Sequence, residues 1–314
     1  MIVHGDDFTV VGPNKSLRWL KVKMEEIYEL NAEFIGPKVE GTQTEVRVLN
    51  RIIRWTDEGL EYEPDQRHSE FIIEQMGMAN CKAVSIPTCT EVEYNENLRR
   101  ESGLLSQREA SLYRAIAARL NYLAQDRVGV QFAAKDAAKH MAKPAALDWL
   151  KLKRVARYLA GVPRYIQKYA WQHPVFLVNA YADSDWAGDK VSRKSTSGGI
   201  LMIGEHLIKS WSSTQPVIAL SSGEAELYAL VKAAAQAKGL CSLLADFGFE
   251  SQISVHTDSI AAIGIVHRRG LGKTRHIEVQ YLWVQDNVNR KAMKVEKIGT
   301  KENPADMLIK GLKR

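Results

Sequence analysis

The chain has 314 residues, of which 45% are hydrophobic and 25% charged, and its formal net charge is +6. This length and composition are typical of about two folded domains, and they exclude a disordered or collagen-like chain. No apolar run approaches the about 20 residues that a membrane-spanning helix needs, and the N-terminus lacks a signal-peptide pattern, so we expect a cytoplasmic or nuclear protein that is neither secreted nor bound to a membrane.

The first part of the chain predicts short strands and one helix. Residues 1–12, MIVHGDDFTVVG, read as two β runs around a Gly-Asp-Asp turn that carries Asp6 and Asp7. Aspartate is common in solvated turns, which is one interpretation of this pair. A helix is predicted from Ser16 to Leu30, short strands between 34 and 62, and a second helix from Asp65 to Met76.

The middle of the chain predicts a linker followed by helices. Thr88 to Gly103 is polar and follows Pro87, which is typical of a linker. Three helices are predicted after it, at Ser106–Gln125, Val128–Ala142 and Pro144–Ala160. This block is rich in alanine and has no acidic cluster, so we interpret it as scaffold.

From Tyr165 the pattern changes to strands and then to strands that alternate with helices. The runs PVFLVNAYADSDW, STSGGILMIG and EHLIKSWSS predict an antiparallel meander. A long helix from Ser222 to about Lys238, the strand QISVHTD, a short helix, a long helix HIEVQYLWVQDNVN, the strand MKVEKI and a last helix at Asn303-Pro304 follow. This order predicts a mixed α/β sheet.

Acidic residues of the C-terminal half stand at strand ends or helix starts: Asp183, Glu226, Asp258 and Asp306. Each has a structural alternative, since Asp258 can cap a helix and Asp306 can interact with a helix dipole. Together they can converge at one end of a sheet, where carboxylates repel one another unless cations neutralise them. Oxygen ligands of this kind suit Mg²⁺ or Mn²⁺, and two such ions support phosphodiester hydrolysis.

Two neighbouring acids compete with this set. Asp185 lies two residues after Asp183, and Glu224 lies two residues before Glu226. Glu224 and Glu226 are about 200° apart on a helix, so only one of them can face a metal site. Spacing alone does not choose between them.

Several uncommon sequence motifs occur in order after residue 165: YADSDWAGDKVSRKSTSGG, WSSTQPVIALSSGEAELYAL, TRHIEVQYLWV and TKENPADMLIKGL. In this order they resemble the RNase H domain of copia-type retrotransposon Pol polyproteins. The resemblance implies an RNase H-like domain at 165–314 and a metal-binding, catalytic quartet of Asp183, Glu226, Asp258 and Asp306. It prefers Asp183 to Asp185 and Glu226 to Glu224, and it implies that two Mg²⁺ or Mn²⁺ ions cleave the RNA strand of an RNA/DNA hybrid.

The upstream chain resembles the same polyproteins in the stretches RHSEFIIEQMGMANCKAVSIPT, YRAIAARLNYLAQ and WLKLKRVARYLAG. The resemblance implies the end of a reverse-transcriptase palm and thumb at 1–90 and a linker and helical connection at 91–164, with the rest of a Pol polyprotein as partner. HGDD then resembles the polymerase Tyr-x-Asp-Asp turn, with His4 and Gly5 departing from it. Because the chain begins at this motif, we expect polymerase activity to be lost by truncation.

Positive charge is gathered at a few places, which suits a polyanionic partner or solvated faces equally. The clusters are Lys151 to Arg157, Arg193-Lys194, and the run from Arg268 to Arg275. Arg193, Lys194, Ser195 and Thr196 follow the first meander strand, so they either donate to nucleic-acid phosphates or form a plain turn.

Other residues are interpreted structurally. His276 matches a family position and is expected to be a buried, satisfied histidine rather than a catalytic one, and Trp186 and Trp211 are expected in the core rather than as stacking platforms. Two other functions stay open besides the nuclease: a catalytically inactive retroelement remnant, and a nucleic-acid-binding module without turnover.

Overall fold

The computed structural model describes residues 1–90, 92–270, 272 and 275–311. Within these residues the strands form a two-stranded hairpin, a four-stranded antiparallel sheet and a five-stranded mixed sheet. The predicted mixed α/β class is therefore confirmed. Among the described helices, none combines the length and apolar composition that crossing a membrane requires.

The N-terminal half contains two short strands, a helix, three more strands and a block of helices. The strands are β1 (Ile2–His4), β2 (Asp7–Thr9), β3 (Glu45–Val48), β4 (Arg51–Trp55) and β5 (Gly59–Glu63). The helices are α1 (Asn14–Glu25), α2 (Arg67–Gln75), α3 (Glu96–Glu101), α4 (Gln107–Leu123), α5 (Gln131–Ala138) and α6 (Trp149–Gly161). Short 3₁₀ turns at Val128–Val130 and Ala146–Asp148 precede α5 and α6.

The C-terminal half follows the predicted order of a meander and then alternating helices and strands. Its strands are β6 (Gln167–Ala170), β7 (Leu177–Ser184), β8 (Thr196–Ile203), β9 (His206–Thr214), β10 (Gln252–Thr257) and β11 (Lys294–Lys297). Its helices are α7 (Ser222–Asp246), α8 (Ile260–His267) and α9 (Trp283–Asn289). The 3₁₀ segments are Val279–Tyr281, Thr300–Glu302 and Pro304–Leu308.

The mixed sheet has the strand order β11-β10-β7-β8-β9. Strands β7, β8 and β9 form the predicted antiparallel meander, and β10 runs parallel to both β7 and β11. On one face, alternate residues of β7 (Val178, Ala180 and Ala182) are fully buried in the core that α7 covers. The two-residue period of a strand therefore places Asp183 on the opposite face.

A second core lies among the helices of the middle segment. Tyr113, Ile116 and Leu120 of α4 are fully buried there against Leu152 and Val155 of α6. Helix α4 begins with a capping box, in which Ser106 accepts from the Glu109 amide and Glu109 accepts from the Ser106 amide. The three helices predicted in this block are confirmed, with shorter bounds.

Some helix ends differ from the predictions, since α1 ends at Glu25 and α7 extends to Asp246. Three further local differences change which elements form. The polar linker contains α3, because Asn95 caps it by accepting from the amides of Asn97 and Leu98. The prediction of a long helix over residues 276–289 is wrong, since Glu278 has an extended backbone and only Trp283–Asn289 of this range is α-helical. Strand β6, which the sequence analysis did not predict, pairs with β5 and joins the four-stranded sheet.

Candidate active site

Asp183 lies next to the last residue of β7, opposite Gly198 of β8. Its side chain is buried, and its Oδ1 accepts from the Ser184 amide at 2.9 Å. Strand β10 is parallel to β7, and Asp258 follows β10 directly. Because the carboxyl ends of parallel strands meet at one edge of a sheet, these two acids come together from segments 75 residues apart.

Helix α7 brings the third acid. Ser221 caps its start by accepting from the Glu224 amide, and Glu226 lies on the first turns. One ligand oxygen from each of Asp183, Glu226 and Asp258 lies within 4.8 Å of the others. The structure therefore brings together three of the four acids that the sequence analysis singled out.

Asp306 approaches the same place on the 3₁₀ segment Pro304–Leu308, which packs against β7 and β8. It lies outside the 4.8 Å group, and its carboxylate pairs with Lys310 at 2.5 Å. The segment is tied to β7 by Asn303, whose Nδ2 donates to the Ala182 carbonyl at 2.9 Å. Asp306 is near enough that its charge helps to raise the pKa of Asp183.

Burial and mutual repulsion disfavour ionisation in this cluster. Burial first, and then Asp258, raise the pKa of Asp183 to about 7. Burial, and then Asp183 and Asp258, raise the pKa of Glu226 to about 9. The Oε2 atom of Glu226 is buried and has no hydrogen-bond partner among the described residues. Hard carboxylate oxygens with an unsatisfied member fit a divalent cation such as Mg²⁺ or Mn²⁺.

The two competing acids, Asp185 and Glu224, both have carboxylates that accept hydrogen bonds from groups outside the acidic cluster. Glu224 accepts from the Tyr228 hydroxyl at 2.6 Å and pairs with His276 at 2.9 Å. Asp185 accepts from the Thr196 amide at 2.5 Å, in the segment between β7 and β8. Their carboxylates stabilise the first turn of α7 and this segment, and they do not join the group of three acids.

A buried amide that the sequence analysis missed holds α7 in register with the sheet. Nε2 of Gln215 lies 2.8 Å from the Ala225 carbonyl and 2.9 Å from the Ser197 hydroxyl. It also lies 3.2 Å from the Ser184 hydroxyl. These contacts join the start of α7 to the strands that flank Asp183. Nothing in the local pattern QPVIAL marks this residue, because its partners come from three separate segments.

The four residues expected to meet phosphates separate into two pairs. Arg193 is exposed and Lys194 is half-buried, whereas Ser195 and Thr196 are buried. The Ser195 hydroxyl accepts from the Ala187 amide at 3.0 Å, and the Thr196 hydroxyl accepts from Lys135 at 2.6 Å. The two hydroxyls are therefore engaged inside the fold, and the charged pair faces solvent.

Asp6 and Asp7 lie in the β1–β2 hairpin, as predicted, with Asp6 in the turn and Asp7 paired with His4. Both are exposed and line a cleft of about 640 Å³ between the hairpin, α1 and β3. Among the described residues, they do not belong to a group of three or more metal-capable side chains.

Two structural expectations for single residues are wrong. Trp186 is 54% exposed rather than in the core, and its Nε1 donates to the Ala219 carbonyl at 3.1 Å. The His276 side chain is 43% exposed and pairs with Glu224 in the first turn of α7. Trp211 packs against the core as expected. Lys273 and Thr274, within the basic run and the TRHIE motif, lie outside the described residues.

Sequence comparison decides the family. The chain is 31% identical over 264 residues to the retrovirus-related Pol polyprotein from transposon RE2 of Arabidopsis thaliana, covering 79% of this chain and 17% of that protein. It is 26% identical over 321 residues to the Pol polyprotein from transposon TNT 1-94 of Nicotiana tabacum, covering 100% of this chain and 23% of that protein. The chain belongs to the family of retrotransposon Pol polyproteins.

This Pol polyprotein chain spans less than a quarter of the length of those relatives. No protein-family model matches it. Among solved structures, LC11-RNase H1 isolated from compost is 16% identical, with a TM-score of 0.31, over 43% of this chain and 94% of that chain. The foamy viral protease-reverse transcriptase in complex with double-stranded DNA is 10% identical, with a TM-score of 0.47, over 82% of this chain and 38% of that chain. The family assignment rests on the sequence relatives.

Proposed function

We propose that this chain is a ribonuclease H that hydrolyses the RNA strand of RNA/DNA hybrids, with Asp183, Glu226, Asp258 and Asp306 as its catalytic and metal-binding acids. The observation that carries the proposal is the convergence of three carboxylates from β7, α7 and the end of β10, with one carboxylate oxygen left unsatisfied. When such a buried group is ionised, it destabilises the fold unless a cation neutralises it, and clusters of this kind are enriched at functional sites.

The division of work follows from the resemblance to copia-type RNase H domains. By that resemblance, Asp183, Glu226, Asp258 and Asp306 would together hold Mg²⁺ or Mn²⁺ ions, with Asp306 as the more mobile ligand. When bound, such ions activate a water molecule and stabilise the leaving 3′ oxygen. The ion pair with Lys310 holds Asp306 at the rim of the group. Arg193 and Lys194 would neutralise phosphates of the bound strand.

The nucleic-acid partner and the cellular setting belong to the same proposal. We expect an RNA/DNA hybrid as substrate, the rest of a Pol polyprotein as the covalent context, and the cytoplasm or nucleus as the location. The family membership supports the covalent context, since the relatives are polyproteins several times longer than this chain.

The test is cleavage of an end-labelled RNA/DNA hybrid by the purified chain with Mg²⁺, Mn²⁺ or chelator. We expect metal-dependent cutting of the RNA strand alone, which Asp183→Asn abolishes. Asp286→Asn is the matched control, because Asp286 is an exposed residue of α9 that pairs with Arg290. Hybrid binding by a folded chain without cutting, with either metal, would replace the nuclease by a nucleic-acid-binding module.

A further inference from the structure

The segment between β7 and β8, residues 185–195, is here called the basic loop because it carries Lys190, Arg193 and Lys194. It folds around the carboxylate of Asp189. Oδ1 accepts from the amides of Val191 and Ser192 at 3.0 and 3.3 Å, and Oδ2 accepts from the Ser192 hydroxyl at 2.7 Å. One side chain thus determines the shape of the loop.

The main chain of Asp189 closes the same turn. Its amide donates to the Lys194 carbonyl at 3.2 Å, and its carbonyl accepts from the Arg193 amide at 2.7 Å. Arg193 has a φ of +60°, in the left-handed region that side chains other than glycine rarely adopt. Such a conformation persists only where the surroundings impose it, and it is common at ligand clamps.

Helix α5, from the block interpreted as scaffold, reaches this loop with two lysines. Nζ of Lys139, which follows the last residue of α5, lies 2.9 Å from Asp189 Oδ1. One turn earlier, half-buried Lys135 donates to the Thr196 hydroxyl at 2.6 Å, where the loop enters β8. Residues four apart along a helix share a face, so α5 and its C-terminal cap contact the loop at two places, Asp189 and the junction with β8.

We propose that Lys139 is a positioning residue for nucleic-acid binding: by holding Asp189, it keeps the basic loop in the shape that presents Arg193 and Lys194 to the phosphates of the substrate. The inference rests on the proposed function, whose substrate it concerns. It assigns a role in the RNase H site to the helical block, which the sequence places outside the site.

Replacing Asp189 separates positioning from simple charge. Asp189→Asn removes a negative charge beside a surface that binds a polyanion, so a purely electrostatic effect tightens binding. Loss of the ion pair with Lys139 loosens the loop instead and weakens binding. The two explanations predict opposite signs.

The experiment measures binding of a fluorescein-labelled RNA/DNA hybrid to the full chain by anisotropy in chelator, and KM and kcat with Mg²⁺. Lys139→Met and Asp189→Asn should each raise Kd and KM about 3–10-fold with kcat unchanged, and the double variant should be no worse than either single variant. Lys139→Arg should restore binding. Lys168→Met, at an exposed lysine of β6 that pairs with Glu61, is the matched control and should change Kd least.

Lys139 also lies 3.5 Å from Glu96, so Asp189→Asn is the variant that isolates the contact with the loop. Tighter binding by Asp189→Asn, additive effects in the double variant, or unchanged binding in both single variants would overturn the inference. If the wild-type chain cleaves the hybrid and the loop variants bind it equally well, the inference is rejected and the nuclease proposal stands. If the loop variants bind more weakly but no chain cleaves, the nuclease proposal is rejected and the inference stands. If the wild-type chain does not bind the hybrid, both are rejected.

Discussion

Glu224 and Glu226 lie two residues apart on α7 and face different environments. Glu224 accepts hydrogen bonds from Tyr228 and His276, whereas Oε2 of Glu226 is buried beside Asp183 and Asp258 without a partner in the described part of the chain. The angle of about 200° between them assigns one carboxylate to the helix end and the other to the candidate metal site.

Glu226→Gln should therefore abolish both RNA cleavage and the stabilisation by divalent cations. A neutral amide removes the repulsion within the cluster and a charged ligand at once. We expect Mg²⁺ and Mn²⁺ to raise the Tm of the wild-type chain and to leave that of the variant unchanged, as measured by scanning fluorimetry.

Glu224→Gln is the paired control on the same helix. It should lower the free energy of unfolding by about 1–3 kcal/mol, because charge-assisted hydrogen bonds to Tyr228 and His276 are weakened. The Mg²⁺-dependent rise in Tm should persist. A loss of cation binding in Glu224→Gln, with retention in Glu226→Gln, would reverse the assignment.

The metal-free protein should lose stability as the pH rises. Glu226 has a folded pKa of about 9, above the about 4.3 of an unfolded glutamate, so the folded state binds more protons between these values. Stability then falls as the pH rises from about 4.3 and levels off above about 9. Asp183, with a pKa of about 7, adds a loss in the same direction.

Urea denaturation in chelator at several pH values measures this effect. The free energy of unfolding of Glu226→Gln should change less with pH than that of the wild type. At pH 9 the variant should be more stable than the wild type by on the order of 2 kcal/mol. A wild-type chain that is most stable at alkaline pH without metal would contradict the electrostatic description of the cluster.

Gly198→Ala should impair catalysis while leaving the fold intact. An added Cβ would lie 2.8 Å from the Ala305 carbonyl and 2.9 Å from Leu308, within the segment that carries Asp306. The segment must move away from β8, and we expect cleavage to fall about 10–100-fold, since small displacements of reacting groups are costly. Cation-induced stabilisation, which the three clustered acids provide, should remain.

Gly239→Ala is the matched control for that substitution. Gly239 lies within α7, and apart from its chain neighbours and the adjacent backbone of its own helix, no atom of the described residues lies within 4 Å of its added Cβ. Alanine is the better helix former, so the free energy of unfolding should rise by up to about 1 kcal/mol with cleavage unchanged. If both variants lost activity equally, the loss in Gly198→Ala would not be due to displacement of Asp306.

Glu63 should control acid stability of the four-stranded sheet. Hydrogen bonds from Arg164, and then from Arg54, hold its pKa at about 2 against the effect of burial. The folded pKa is below that of an unfolded glutamate, so this stability is present above about 4.3 and is lost as the pH falls towards 2.

Glu63→Gln should lower the free energy of unfolding by about 1–3 kcal/mol at pH 7. Below about pH 4.3, the free energy of unfolding of the variant should fall less steeply with falling pH than that of the wild type. Glu61→Gln, on the same strand with a 3.4 Å contact to Lys168, is the control and should change both quantities less. If the wild type and Glu63→Gln lost stability equally as the pH falls, carboxylates other than Glu63 would account for the acid sensitivity.

Local sequence determined most element types and the family. Strand alternation, helix periodicity and caps such as Ser106 are properties of neighbouring residues, so the meander, the long helix α7 and the three-helix block could be predicted. The resemblance also selected Asp183 over Asp185, and the structure places Asp183 in the acidic group.

Only the tertiary structure decided which distant groups meet. The pairing of β6 with β5, the exposure of Trp186, the three contacts of Gln215 and the reach of Lys139 to Asp189 each join residues from separate segments. No local period encodes such contacts, because they depend on how packed elements are placed relative to one another. The sequence thus selected the side chains that are candidates for a site, and the packing of β7, β10, α7 and α5 decided which of these side chains lie close together.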